Sequence, residues 1–438
     1  MTVARGRSGK INSRRKNCKS VLIISYFFPP LGGPAALRPL KFAKYLPDYQ
    51  WSPIILSVRN PDWYYAYNPG LLHELPESVR IERAFMFRSA WLYRLLNPLR
   101  NPTLERSLRK YVFHPDDHFG WIPCACLKAR RLIHRYSVKA IFSTSRPFSC
   151  HLIAYQAKKG TGLPWIADFQ DEWIENPDLE LPTAFHRRMH YSLERRVVQN
   201  ADKVTAMTPT FCRLLSKHLP HKDKFVTLTG GYDPEDFEDA DTPGNLNRQH
   251  DRFAIVFTGM FYRSFRPDTL LKSINQLIKE GRIPADKIRV YFVGANRPKD
   301  IDFEDSYKVC EFTGHLPHRE AVRYMCDASV LLLLLSEERG RGVIPSKIFE
   351  YIAAGKPVLA LVPPSGDAAT IIRETNTGIV VDFRDVREIK ESVFKLYNKW
   401  DRGTLSFQQD TKAIAHFDLK NLTGNLAKIL DEIICKPA

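Results

Sequence analysis

No apolar run in this chain of 438 residues approaches the roughly 20 residues needed to span a bilayer. The longest, VLLLLL at 330–335, has the length of a buried strand. Residues 1–20 lack any acid and carry seven Lys/Arg, yet no apolar core of signal-peptide length follows. The segment reads as a basic, disordered tail and not as a secretion signal. None of the eight cysteines forms a CxxC pair or a zinc spacing, so they read as reduced thiols of a cytosolic protein. No nucleic-acid-binding motif occurs, and the basic residues are spread through segments of mixed helix and strand character.

What is present is charge, unevenly placed. Residues 1–150 hold 25 Lys/Arg against 8 Asp/Glu, whereas residues 151–438 hold 40 of each. The whole net charge of +17 therefore sits in the first third and concerns a partner of that part. Nucleic acid, anionic lipid and anionic substrates would each satisfy it. A content of 44% hydrophobic and 26% charged residues is that of a globular protein, and the length exceeds what one core serves.

Short β-branched runs recur with helical segments between them: VLIISYF (21–27), IILSV (54–58), KAIFSTS (139–145), WIADF (165–169), KVTAMT (203–208) and KFVTLTG (224–230). After an acidic, polar stretch, PEDFEDADTPGNLNRQHD (234–251), come FAIVFTG (253–259), IRVYFVG (288–294), EFTG (311–314), VLLLLLS (330–336), KPVLALV (356–362) and GIVVDF (378–383). Continuous apolar strands alternating with helices predict parallel sheets covered on both faces. The expected organisation is a tail at 1–20, a Rossmann-like domain at 21–232, a linker at 233–250 and a second Rossmann-like domain at 251–410. A C-terminal helix within 411–438 is expected to pack back on the first domain. Such domains bind ligands at the carboxyl ends of their strands, and two facing each other would do so across one cleft.

The stretch RGRGVIPSKIFEYIAAGKPVLALV (339–362) carries the clearest chemistry. Pro345 suits the first turn of a helix and Gly355 its end, predicting a helix over 345–354 with backbone N–H groups at Ser346 and Lys347. Lys347 and Glu350 are three apart and share a face. A cation with a carboxylate one turn along suits a nucleoside diphosphate whose ribose needs an acceptor. An amphipathic helix with a surface ion pair accounts for the same spacing.

PSKIFEYIAAGKPVLA resembles the donor-binding helix of GT-B glycosyltransferases, particularly the retaining, family 4-like group. YFFPPLGGPAALRPLKFAKYL (26–46) resembles their N-terminal acceptor-domain loop. WIADFQDEW (165–173), ERRVVQNADKVTAMT (194–208), TGGYDPEDF (229–237) and VFTGMFYRSFRP (256–267) fall in that family's order, so the likeness spans nearly all of the chain after residue 20. The resemblance implies transfer of a sugar from a nucleotide diphosphate sugar to a glycan or lipid-linked acceptor, with retention, without a metal or other cofactor, in cell-surface polysaccharide or glycoconjugate biosynthesis. An epimerase or hydrolase acting on a nucleotide-sugar is the alternative, and a non-catalytic membrane or nucleic-acid-binding protein the third reading.

By that resemblance Lys347 would contact the donor diphosphate and Glu350 the ribose, with Ser346 and Gly259 lining the donor site. Arg263, with Arg266 behind it, would help neutralise the leaving diphosphate. Many members carry a second Glu with seven residues between it and the ribose-binding one; that position here is Gly342. DAD (239–241) matches a metal-binding Asp-x-Asp signature but lies in the acidic linker and reads as chance.

In the first domain, His151 follows a strand in STSRPFSCH (143–151) and is expected near the transferred sugar; a packing or capping histidine fits as well. HPDDHFGW (114–121) brings His114, Asp116, Asp117 and His118 together, as a solvated loop or a metal site. Asp168 and Asp171 at a strand end, Gly32 and Gly33 in the first strand-to-helix loop, and Arg38 behind them form the expected acceptor side, with Lys41 and Lys44 continuing the cation row. The basic, aromatic stretch 83–113 suits an anionic membrane surface, which would make the protein cytoplasmic and peripheral on the inner face of the cell membrane.

Overall fold

The structure is a computed structural model, and it describes residues 18–61, 67–87, 101–176, 179–217, 219, 222–238, 252–261, 267–297, 306–335 and 341–435. The basic tail to residue 17, most of the linker with its DAD signature, Arg263, Arg266 and residues 88–100 of the basic, aromatic stretch lie outside them. The chain divides into two compact units. Unit 1 takes residues 1–207, 211–228 and 423–438; unit 2 takes 208–210 and 229–422.

Unit 1 is built on seven strands: β1 (Lys19–Ile24), β2 (Trp51–Val58), β3 (Arg80–Ala84), β4 (Ala140–Ser145), β5 (Trp165–Phe169), β6 (Lys203–Ala206) and β7 (Phe225–Thr227). Every pairing is parallel, in the order β3-β2-β1-β4-β5-β6-β7. Its helices are α1 (Pro34–Tyr45), α2 (Pro102–Tyr111), α3 (Ile122–Arg135), α4 (Ser149–Thr161) and α5 (Ala184–Asn200); α6 (Pro209–Ser216) begins at the division between the units. The central strands are buried throughout, as apolar runs covered on both faces must be. The strand RIERA, β3, sits at the sheet edge, where its charges reach solvent on one side.

Unit 2 repeats the plan with β8 (Phe253–Thr258), β9 (Ile288–Val293), β10 (Cys310–Gly314), β11 (Val330–Leu334), β12 (Val358–Leu361) and β13 (Gly378–Val381), all parallel, in the order β10-β9-β8-β11-β12-β13. Its helices are α7 (Asp268–Lys279), α8 (His318–Asp327), α9 (Lys347–Ala353), α10 (Asp367–Glu374), α11 (Val386–Asp401) and the short α12 (Thr411–Ala415). The period-2 alternation of β8 sends Phe253, Ile255 and Phe257 into one apolar cluster and Ala254 and Val256 into the other, so a core lies on each face of the sheet. Strand order reverses between β8 and β11 here, and between β1 and β4 in unit 1; open sheets of this kind take ligands beside such a reversal.

The last helix, α13 (Leu419–Cys435), returns to unit 1 from Thr423 onward. Asp431 pairs with Lys19 and accepts the Trp51 indole N–H at 3.0 Å, and Glu432 lies 3.4 Å from Lys203. Leu426 and Leu430 are fully buried, and a Cβ at Gly424 would stand 2.9 Å from the Tyr49 ring. Among the described residues no helix is long and apolar enough to cross a membrane.

Candidate functional site

The helix expected over 345–354 forms as α9, with Pro345 and Ser346 as its opening turn: Ile348 N–H donates to Pro345 C=O at 3.0 Å and Phe349 N–H to Ser346 C=O at 3.2 Å. Ile348, Phe349, Tyr351 and Ile352 are buried against the Ala254/Val256 face of the sheet. That packing fixes the rotation of the helix and leaves Lys347, Glu350 and Ser346 off the core side. Tyr351 locks the register further, its hydroxyl accepting the Thr258 N–H at 2.9 Å. Burial pushes its phenol well above the ordinary value.

Lys347 reaches the end of β8. Its ammonium donates to the Thr258 carbonyl and stands 3.7 Å from the Phe257 ring centroid. Burial of the ammonium pulls its pKa down to about 7, with the Glu350 charge working in the opposite direction. The next residue, Gly259, takes φ +97°, and a Cβ there would stand 3.2 Å from the Lys347 nitrogen. Gly294, ending the neighbouring β9 at φ +86°, would put a Cβ 3.4 Å from the Gly259 backbone. Both positions need glycine for the left-handed turn, and side chains there would crowd the lysine and the adjoining backbone. β8 flanks the reversal of strand order and α9 is the helix that follows β11, so Lys347 spans the reversal from one side to the other.

Glu350 is held from elsewhere. His318, the first residue of α8, places Nε2 2.9 Å from Glu350 Oε1. The two polar residues of α9 are thus fixed by different loops, one ending β8 and the other following β10. His318, Thr258 and Tyr351 were not singled out from the sequence; His318 stands four residues after the glycine ending its strand, a position that scanning strand ends for titratable groups would have found. Ser346 is exposed and makes no side-chain cap. Gly342, where the related pattern often has Glu, is buried.

In unit 1 several expected site residues are engaged internally. Asp168, at the inner end of β5, is fully buried. Its carboxylate receives Arg38 Nε at 3.0 Å, Arg38 Nη2 at 2.8 Å, Thr144 Oγ1 at 2.8 Å and Thr205 Oγ1 at 2.7 Å. Arg38 also donates to the Leu228 carbonyl at 2.7 Å. Arg38 and Asp168, expected on the acceptor side, clasp α1 to the sheet. Lys41, next in the expected cation row, is buried and pairs with Glu74 at 2.7 Å. Asp171 stays partly exposed beyond β5, its carboxylate 3.0 Å from Arg146 Nε. Gly33 caps α1 at φ +90° with open space where a Cβ would go, and Gly32 beside it is half-buried.

His151 lies in the first turn of α4 with no exposed surface. Its Nδ1 is 2.8 Å from Ser143 Oγ, which also accepts the Trp165 indole N–H at 2.8 Å. Burial draws its pKa down to about 3, so it is neutral and closed from solvent. Of the two readings the sequence allowed, this environment fits the packing histidine.

The HPDDH segment is structural as well. Asp116 receives Ser149 N–H and Oγ at 2.8 Å each, satisfying the start of α4. Trp173 Nε1 donates to His190 Nδ1 at 3.0 Å; His190 Nε2 meets His114 Nδ1 at 2.8 Å; His114 Nε2 meets the Lys110 carbonyl at 3.1 Å. Run in that direction, the chain satisfies two neutral rings, and burial lowers the pKa of both, that of His190 to about 4. No group of three or more potential metal ligands occurs among the described residues. A cavity of about 520 Å³ in unit 1, lined by residues including Ile174, Glu175, Leu181 and Arg187, gathers none of the expected site residues.

Two family models match the chain: "Glycosyl transferase 4-like domain" over residues 76–231 and "Glycosyl transferases group 1" over residues 252–399. A curated relative, the putative teichuronic acid biosynthesis glycosyltransferase TuaH of Bacillus subtilis, is 25% identical over 207 residues. The match covers 46% of this chain and 51% of the relative, so the chain spans about half the length of that protein. Among solved structures, HepE from Anabaena in complex with UDP aligns with a TM-score of 0.63 at 14% identity, over 94% of this chain and 100% of that one. Sucrose-phosphate synthase from Thermosynechococcus elongatus aligns with 0.62 at 15% identity, over 94% and 98%.

Proposed function

Because this chain belongs to the GT-B glycosyltransferases of the 4-like type, we propose that it moves a sugar from a nucleoside diphosphate donor to a glycan or lipid-linked acceptor. The observation that carries this is the Lys347–Glu350 pair, held at the reversal of strand order in unit 2 by two separate loops. HepE, a structural neighbour, was solved with UDP and with UDP-glucose, which supports a uridine nucleotide as the first donor to test.

In the proposed chemistry Lys347 binds the diphosphate, and its fixed charge stabilises the negative charge that grows there as the glycosidic bond breaks. Glu350 accepts hydrogen bonds from the ribose hydroxyls. Gly259 leaves the backbone at the end of β8 open to close approach. Arg263 and Arg266, outside the described residues, are assigned to the leaving diphosphate on the resemblance alone. With these cations the reaction proceeds without a metal, and with retention through departure and attack on one face of the sugar. The teichuronic acid relative supports a cell-surface polysaccharide as the product.

Calorimetric titration with UDP, GDP and ADP tests the site. The expected result is micromolar binding of one of them, weakened at least tenfold by Lys347→Ala and by Glu350→Ala, since each removes a charge-assisted contact of about 1.5–3 kcal/mol. Unchanged affinity in both variants would remove α9 from the donor site.

A further inference from the structure

We propose that His318 is a positioning residue for Glu350: it holds one carboxylate oxygen so that the other is presented to the donor ribose. The inference rests on the nucleotide-site reading above and deepens it.

The contact is geometrically specific. His318 Nε2 lies 2.9 Å from Glu350 Oε1, so a ring N–H on that nitrogen donates to a carboxylate acceptor at ordinary hydrogen-bond length. The two residues are 32 apart in sequence and come from different helices, so this is no local i,i+4 pair of one exposed face. The side chains are 49% and 26% exposed, which makes the pair a poor stabiliser of the fold. Its value lies in orientation. A glutamate one turn into a helix has three rotatable bonds; its neighbour at the same face, Lys347, is turned to the Thr258 carbonyl and the Phe257 ring. The imidazole supplies a donor from the first turn of α8, the helix that follows β10. One oxygen committed to His318 leaves the lone pairs of the other for a pair of hydroxyls, the arrangement by which outer partners hold a first-contact ligand in place.

The test uses the full chain, wild type, His318→Ala, His318→Gln, Glu350→Ala and the double variant His318→Ala/Glu350→Ala. Each is titrated with UDP, GDP and ADP and with the 2′-deoxy form of the tightest binder, after a thermal melt to establish folding. The expected outcome is a fivefold to tenfold loss of ribonucleotide affinity in His318→Ala, on the order of the net worth of one ordinary hydrogen bond, because the imidazole acts through Glu350. The 2′-deoxy form should be affected less, so that ribose discrimination shrinks. His318→Gln should recover part of the loss, and the alanine at 318 should cost nothing further once Glu350 is gone. Equal affinities in wild type and His318→Ala, or a full additional loss in the double variant, would overturn the proposal while leaving the nucleotide site standing. Failure of all three nucleotides to bind the wild type would overturn both.

Discussion

In the proposed donor site Lys347 must carry a positive charge where burial opposes one. With its pKa drawn from 10.5 down to about 7 in the free protein, a large share of the molecules hold it neutral near neutral pH. A diphosphate beside it favours the charged form, so binding above pH 7 takes up a proton. Affinity for the bound nucleotide should therefore weaken as pH rises from about 7, approaching tenfold per unit, and be flat well below it. Titrations at pH 6, 7.5 and 8.5 in buffers of different ionisation enthalpy would show this, and a Lys347→Met chain should lose the slope. A profile without slope in the wild type would mean that the ammonium does not meet the diphosphate. Folding responds in the opposite sense: the unfolded chain holds the proton up to about 10.5, so the cost of burying this lysine, full below about pH 7, is relieved as pH rises from about 7 to 10.5. Lys347 and Glu350 were legible in the sequence because a proline and an i,i+3 spacing fix their shared face without any knowledge of the rest. Arg38 and His151 were not. A basic residue after a glycine loop shows its charge in the sequence but not its direction, and Arg38 points inward to a partner 130 residues away.

Among the elements, the buried clasp between α1 and β5 has a large energetic consequence. Removing the Asp168 carboxylate takes from Arg38, 6% exposed, the acceptor of two of its N–H groups and strips two threonine hydroxyls of theirs. Asp168→Ala should cost about 3–5 kcal/mol in urea unfolding. The double change Arg38→Met/Asp168→Leu should recover much of that, because it removes both charges together. A near-neutral single variant would show that water reaches the pair. At this scale the sequence was most readable. Continuous β-branched runs announce the central strands, since a strand buried on both faces has little room for polar residues. The exception is β3, whose RIERA holds three charges, two of them adjacent, and pairs on one side only, so its composition does not separate it from a loop.

For the whole molecule, the charge asymmetry asks for a partner. In unit 1, Phe85 and Phe87 are 47% and 50% exposed, and α2 presents Leu104, Tyr111, Arg106 and Lys110 to solvent. Aromatic rings among cations suit the headgroup layer of an anionic bilayer. The chain should co-sediment with vesicles containing 30% phosphatidylglycerol and be released by about 0.5 M salt, with little binding to phosphatidylcholine alone. Charge-reversing Arg106 and Lys110 together should weaken it severalfold. Indifference to vesicle charge would assign the excess to an anionic substrate instead. The location of this excess is plain from counting residues; that Leu104, Arg106, Lys110 and Tyr111 of α2 are exposed is a fact of packing.

The return of α13 to unit 1 reverses the order in which the molecule is finished. A ribosome delivers the first sheet long before the helix that covers Tyr49 and Trp51, and the entire second sheet emerges in between. The half begun first is therefore completed last, and its apolar patch waits uncovered through the synthesis of some two hundred residues, the interval in which a nascent chain is exposed to chaperones and to misassociation. Stopping translation after Leu422 should yield a chain whose second unit resists protease while the first is cut, with the damage appearing at the opposite end of the sequence from the deletion. Equal resistance of both units would mean that unit 1 closes without its last helix.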